Sequence, residues 1–258
     1  MHKFFVPAEN IINNTAVIKG EDVKHIYKVL RLKASDNVSI NNCIGEEYLG
    51  EILKIDKEEV IVKLLEKLPI NNESPIDIHL YQGLPKSSKM DLIVQKSTEI
   101  GVKEITPIIT ARVISKGEIN EFKKVDRWNR IALEASKQSK RSLIPSINKP
   151  IEFLELLDAL KNEDLIVVPY ENADNYGIKS LIKSIDKKSI KNVAVIIGPE
   201  GGFEEEEIEE FKKINAHIVT LGPRILRTET AGFICAGFLM YELGDMAGTL
   251  SSATASSN

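Results

Sequence analysis

The chain has 258 residues, 43% of them hydrophobic and 28% charged, with a net charge of −4. That is apolar material enough for two ordinary domains or one large one, and the wrong sign of charge for a protein that holds nucleic acid by bulk positive potential alone. Cys43 and Cys235 stand far apart in no Cys-x-x-Cys spacing, and His2, His79 and His217 show no ligand spacing, so neither a disulfide framework nor a metal site is expected.

The first 70 residues read as short strands, Lys3 to Val6, Thr15 to Ile18, Asn37 to Ile40, Tyr48 to Ile55 and Val60 to Leu65, divided by Asn, Gly and Asp turns. Met1 to Pro7 breaks its apolar run too early for a signal-peptide core, which points to the cytoplasm. Between the strands, Val23, Ile26, Tyr27 and Leu30 recur at helical spacing in Glu21 to Leu30. Lys24, His25 and Lys28 occupy the other face and Arg31 follows, so the spacing predicts one helix with a basic flank on a small β-barrel. A polar stretch from Pro69 to Pro75 breaks the pattern, and residues 71–75 read as a linker.

From Ser74 onward strands and helices alternate. Strand Ile76 to Tyr81 leads to helix Ser88 to Ile100, closed by Gly101, then strand Val102 to Ile109 and helix Asn120 to Ser139. Strand Leu165 to Val168, helix Ile178 to Ile185, strand Val193 to Ile197, helix Glu204 to Ile214 and strand His217 to Leu221 follow. The last helix runs from about Thr230 to Leu243; its mainly apolar stretch, Ala231 to Leu243, holds 13 residues, short of the roughly 20 needed to cross a bilayer, so no membrane span is expected. Alternation of this kind predicts an α/β domain over 76–246 with a parallel sheet covered on both faces. The Ser/Ala-rich tail, 247–258, is expected to be disordered.

Two glycine-rich turns follow strands of this domain, Ile197-Gly198-Pro199-Glu200-Gly201-Gly202-Phe203 and Leu221-Gly222-Pro223-Arg224-Ile225-Leu226-Arg227. Ligands on parallel sheets bind at the carboxyl ends of strands, where backbone can approach closely at glycine, so the turns read as two walls of one site. The run Glu204 to Glu207 puts four carboxylates at a helix start, which repels phosphate, and both phosphate-loop fingerprints are missing. A ligand with a neutral or cationic portion fits better. Thr228 or Thr230 reads as the N-cap of the last helix, with Glu229 aiding the dipole. Arg224 and Arg227 lie on the unfavourable side of that dipole, so an external anion or a partner chain's carboxylate is expected to meet them.

The pair IGPEGGF and LGPRILRTETA strongly resembles the signature of the RsmE family of 16S rRNA (uracil-N3) methyltransferases, in the SPOUT superfamily. Supporting positions include His25 with Arg31, Lys89 to Lys96, Glu99 to Val102, Trp128 and Gln138 to Arg141, over about residues 2 to 245. Asn41 to Gly45 departs from the acidic Asp-Gly turn frequent in the family. The resemblance implies a PUA-like RNA-binding barrel over 1–70 and a SPOUT-type parallel sheet with a C-terminal trefoil knot over 76–246, working as a homodimer. It implies S-adenosyl-L-methionine bound by Gly198, Pro199, Glu200, Gly201 and Gly202 and by Leu221, Gly222, Ile225 and Leu226, and a uridine of 16S rRNA in the small ribosomal subunit as substrate. Arg224 or Arg227 would stabilise charge developing on the base, with Glu229 the nearest candidate proton acceptor; Arg227 with Glu229 reads equally as a dimer salt bridge. Candidate RNA contacts are Lys24, His25, Arg31, Lys89, Arg127 and Arg141. The rival reading is a non-catalytic RNA-binding or ribosome-assembly factor with the same fold.

Overall fold

The computed structural model describes residues 1–69, 72–86, 89–113, 121–173 and 175–248, with backbone alone at 121–123. Asn71 of the expected linker, Ser88 and Asn120 at expected helix starts, and 249–258 of the expected disordered tail lie outside the described residues. The chain divides into two compact units, Met1–Glu73 with Ser136–Ile144, and Ser74–Ala135 with Pro145 onward. The first unit is therefore discontinuous in sequence. Within it, Glu73 accepts from the Ser142 amide at 2.7 Å and pairs with Arg141 at 2.8 Å, while the Asn41 side chain donates to the Ser142 carbonyl at 2.9 Å.

In the first unit, β1 (Lys3–Phe5), β2 (Ile11–Ile12), β3 (Thr15–Lys19), β4 (Asn37–Asn41), β5 (Glu47–Ile55) and β6 (Glu59–Leu68) form a six-stranded sheet in the order β1-β4-β5-β6-β3-β2. Every pair is antiparallel except β1 with β4. Alternate residues, among them Val38, Ile40, Ile52, Val60 and Val62, turn inward to one core. Two register shifts between β5 and β6 bend the sheet, as bulges do, giving the curled form of a PUA-like barrel. The expected uniform helix is corrected. An α-helical turn, α1 (Glu21–Lys24), passes into a π-helical turn over His25–Leu30 that ends at Arg31 with φ 54°. A π-turn holds more residues than an α-turn, so the period of 3.6 no longer keeps Tyr27 inward. Val23 and Ile26 are buried, whereas Tyr27 is 64% exposed.

The second unit holds β7 (Asp77–Gly83), β8 (Glu104–Ile109), β9 (Ser146–Ile147), β10 (Ile151–Glu152), β11 (Leu165–Pro169), β12 (Asn192–Ile197) and β13 (His217–Val219). All pair in parallel in the order β10-β8-β7-β12-β11-β13, with β9 beside β8. Val193–Ile197 is buried throughout, as two-sided cover demands. The helices are α2 (Lys89–Ile100), α3 (Glu121–Ser139, whose last turn belongs to the first unit), α4 (Phe153–Ala159), α5 (Ile178–Ser184), α6 (Glu205–Lys213) and α7 (Thr228–Glu242). The helix α7 begins two residues before its expected start and packs against α2 and β12.

Candidate functional site

Because β12, β11 and β13 are neighbours running in one direction, their carboxyl ends set three loops side by side. With Lys89 of α2 and Ala231 of α7, these loops line a cavity of about 750 Å³, a size usual for small-molecule sites. Two of the loops are the glycine turns. The third, with Pro169, Tyr170 and Glu171, carries no glycine signal, and only its place after an apolar run marks it in the sequence.

The first turn is held by groups from α7, β7 and Arg112. Thr228 Oγ1 donates to the Gly198 carbonyl at 2.6 Å and accepts from Gln82 Nε2 at 2.8 Å. Thr228 is therefore not the N-cap of α7; that position is Arg227, which makes no side-chain cap. A Cβ at Gly83 would stand 2.3 Å from the Pro199 nitrogen, so glycine lets β7 and the first turn meet. Arg112 donates to the Gly201 carbonyl at 2.9 Å and to Glu204 at 2.8 Å. That hydrogen bond holds the Glu204 carboxyl below its ordinary pKa.

The four-glutamate run divides its labour. Glu204 and Glu207 form a capping box at the start of α6, and buried Glu207 also accepts from the Ala111 amide at 2.9 Å. Glu205 and Glu206 face solvent.

At the cavity, Lys89 Nζ lies 3.0 Å from Glu200 Oε1 and 3.3 Å from Glu229 Oε2. Burial pushes the Glu200 carboxyl up, but hydrogen bonds from Lys89, its own amide and the Lys86 amide outweigh that push and hold it below the ordinary value. The same pairing, first with Glu200 and then with Glu229, raises the Lys89 pKa. Glu229 Oε2 is buried and has no aligned hydrogen bond among the described residues, so its contact with Lys89 is ionic.

Of the expected cofactor contacts, Gly198, Pro199, Glu200, Gly202, Leu221, Gly222, Ile225 and Leu226 line the cavity. Gly201 instead faces Arg112. Arg224 and Arg227 lie on the cavity wall and are exposed; Arg227 Nη1 is 3.8 Å from Glu229 Oε1. Glu229 sits behind Lys89 with 13% of its side chain exposed. The backbone of Arg224, Ile225 and Leu226 makes no hydrogen bond among the described residues, which leaves its polar groups free for a ligand.

The expected RNA contacts scatter. Lys24, His25 and Arg31 are exposed in the first unit, and Arg127 is an exposed partner of Asp91 at 2.5 Å in the second. Arg141 departs from expectation: it is buried and bound to Glu73, a neighbour that the sequence separation hid. Lys89 departs too, by its place in the cavity. His79 pairs with Glu163 at 2.7 Å in β7, and among the described residues no group of three His, Cys, Asp or Glu side chains could hold a metal.

Comparison with known proteins supplies the context for this geometry. Residues 72–240 match the RNA methyltransferase domain family and residues 18–65 the RNA methyltransferase PUA domain family. The chain is 34% identical to the Bacillus subtilis ribosomal RNA small subunit methyltransferase E, over 88% of this chain and 90% of that one. It is 35% identical to the same-named protein of Mesomycoplasma hyopneumoniae, over 90% and 95%. A crystal structure of ribosomal RNA small subunit methyltransferase E from Neisseria gonorrhoeae bound to S-adenosyl methionine superimposes with a TM-score of 0.81 at 28% identity, covering 95% of this chain and 99% of that one. A Legionella pneumophila protein in complex with the cofactor SAM gives 0.79 at 31% identity, covering 95% and 98%. The match extends through both units and the cavity loops: the chain belongs to the ribosomal RNA small subunit methyltransferase E family.

Proposed function

We propose that this protein methylates N3 of a uridine in the 16S rRNA of the small ribosomal subunit, using S-adenosylmethionine, in the cytoplasm and as a homodimer. The observation that carries the reading is the cavity of about 750 Å³ built from three strand-end loops, with unpaired backbone at Arg224–Leu226 and two carboxylates, Glu171 and Glu200, on its wall. Free backbone groups suit an adenine and ribose, and the carboxylates suit a cationic sulfonium and amine while disfavouring a phosphate. Relatives solved with this cofactor support the assignment.

When bound, the cofactor supplies an electrophilic methyl group. The chain must do the rest. Uridine N3 is a weakly acidic nitrogen normally engaged in pairing, so the base has to be exposed and deprotonated. Arg227, 81% exposed at the cavity mouth, is placed to stabilise the negative charge that spreads over N3 and its flanking carbonyls, with Arg224 beside it. Glu229, which lies beside Arg227 but does not line the cavity, is the nearest carboxylate in sequence for the proton-acceptor role. Exposed Lys24, His25, Arg31 and Arg127 contact the RNA backbone.

The homodimer reading rests on α7. One face buries Cys235, Ala236, Leu239 and Met240, while the other presents Phe238 and Tyr241, 45% and 59% exposed. A helix apolar on all sides calls for cover on both, and a second copy supplies it. A trefoil knot in the C-terminal chain, with the two glycine turns among its loops, is part of the proposal; the packing of α7 on α2 and β12 is compatible with it.

Incubating small ribosomal subunits with methyl-labelled S-adenosylmethionine should give incorporation with the wild-type protein, and a loss of roughly 100-fold or more with Arg227→Ala, as for removal of one charge-stabilising donor. Cofactor binding without any incorporation would instead leave the non-catalytic reading standing.

A further inference from the structure

We propose that Tyr27 is a stacking platform for an unpaired base of the RNA, set among cations that hold the flanking phosphates. The inference deepens the reading of Lys24, His25 and Arg31 as RNA contacts and rests on it. The spacing of Val23, Ile26, Tyr27 and Leu30 asks for an inward Tyr27, yet the chain forms a π-helical turn that leaves the ring 64% exposed. The turn itself is anchored. Ile26 is fully buried, Leu30 and Leu32 pack on the same core, and the Ile26 carbonyl accepts from the amides of both Arg31 and Leu32. The outward ring is thus a built feature of the turn, and a ring already held in place loses little freedom when a ligand stacks on it.

Charge then selects the partner. Between Asp22 and Asp36 the chain carries Lys24, Lys28, Arg31 and Lys33 and no carboxylate, in a protein of net charge −4. Lys24 and Arg31 stand one turn before and one turn after Tyr27, the spacing at which helical side chains meet, and Lys28 adjoins it in the chain; all three are exposed. Among the described residues their side chains make no ion pair or hydrogen bond, whereas the exposed Lys54, Lys67, Lys161 and Lys213 each pair with a carboxylate. Asp22, the nearest carboxylate along the chain, faces Lys137 at 3.7 Å. Unpaired cations suit phosphates, and an exposed ring between them suits a base whose face is open. Bases inside a duplex already stack on one another, so the ligand is a single-stranded nucleotide. Val29, exposed as well, lies two positions on and off the face of Tyr27, so the turn offers a protein partner no continuous apolar patch.

The test titrates the full-length protein against labelled oligouridine and against a blunt RNA duplex of equal length. Tyr27→Ala should weaken oligouridine binding by about tenfold, the loss expected for one stacked base, and duplex binding by less than about twofold. Tyr27→Phe should bind both as wild type does. Tyr27→Leu, which keeps apolar cover on the turn without an aromatic face, should lose as much as Tyr27→Ala. The salt dependence should be unchanged in Tyr27→Ala, and its log–log slope for oligouridine shallower by about 0.7 in Lys28→Gln, which removes one phosphate contact. Wild-type affinity for oligouridine in Tyr27→Leu overturns the proposal, and the ring then meets a protein of the subunit or nothing. An equal loss on both RNAs overturns it too, since Tyr27 would then only support the turn. Wild-type protein that binds oligouridine but transfers no methyl group to small subunits defeats the proposed function instead, and the comparison of Tyr27 variants still decides the stacking.

Discussion

Thr228 stands where a capping hydroxyl is expected, yet its Oγ1 ties the start of α7 to β7 and to the first glycine turn, receiving from Gln82 and donating to Gly198. Thr228→Val keeps the shape and removes both bonds, leaving a carbonyl beside the cavity without its donor. We expect a loss of about 1–3 kcal/mol, read as a Tm lower by roughly 2–10 °C, together with weaker cofactor binding by calorimetry. An unchanged Tm and unchanged affinity would show that the turns hold without this link. The role was illegible in the sequence for a physical reason: a hydroxyl before a helix has an adequate local use, and its real partners come from strands far along the chain. The same holds for Gly83, whose need for glycine is set by Pro199, and for buried Arg141, whose partner is Glu73.

Elements were more legible than contacts where their period was long. The buried run Val193–Ile197 and the apolar α7 announced themselves, whereas β9 and β10, of two residues each, are too short to carry a period. The turn over His25–Leu30 shows the opposite limit, since its apolar spacing fits an α-helix that the chain does not form. In β7, His79 Nδ1–H donates to the Glu163 carboxylate at 2.7 Å, and that hydrogen bond raises its pKa above the ordinary 6.5 against the opposing effect of burial. Charged His79 is thus favoured in the folded state. The pair stabilises the fold fully below the unfolded histidine value and loses that contribution as pH rises through the folded one. The Tm of wild type should exceed that of His79→Asn by more at about pH 6 than at about pH 8.5, and Glu163→Gln should remove the difference in slope. Parallel Tm profiles for wild type and His79→Asn would contradict the pairing.

At the scale of the whole molecule, the exposed Phe238 and Tyr241 of α7 predict a dimer. Sedimentation should find two copies for the wild type and predominantly monomer for Phe238→Glu, because a carboxylate would have to be buried unpaired in the interface. A wild-type monomer at all concentrations would remove the dimer from the proposal. The general plan, a small β-rich unit and an α/β unit with a cavity at strand ends, was readable from the change in periodicity near Ser74 and from the two glycine turns. The loop at Pro169–Glu171 was not, because it reaches the cavity through sheet order, which no local pattern records. The site's chemistry meets its most direct test in the position of the transferred methyl group. Primer extension and nucleoside mass spectrometry on small-subunit 16S rRNA treated with this protein should show a single N3-methyluridine, which blocks base pairing and stops the reverse transcriptase. A methyl group on a ribose oxygen, on another base, or nowhere would contradict the proposed function.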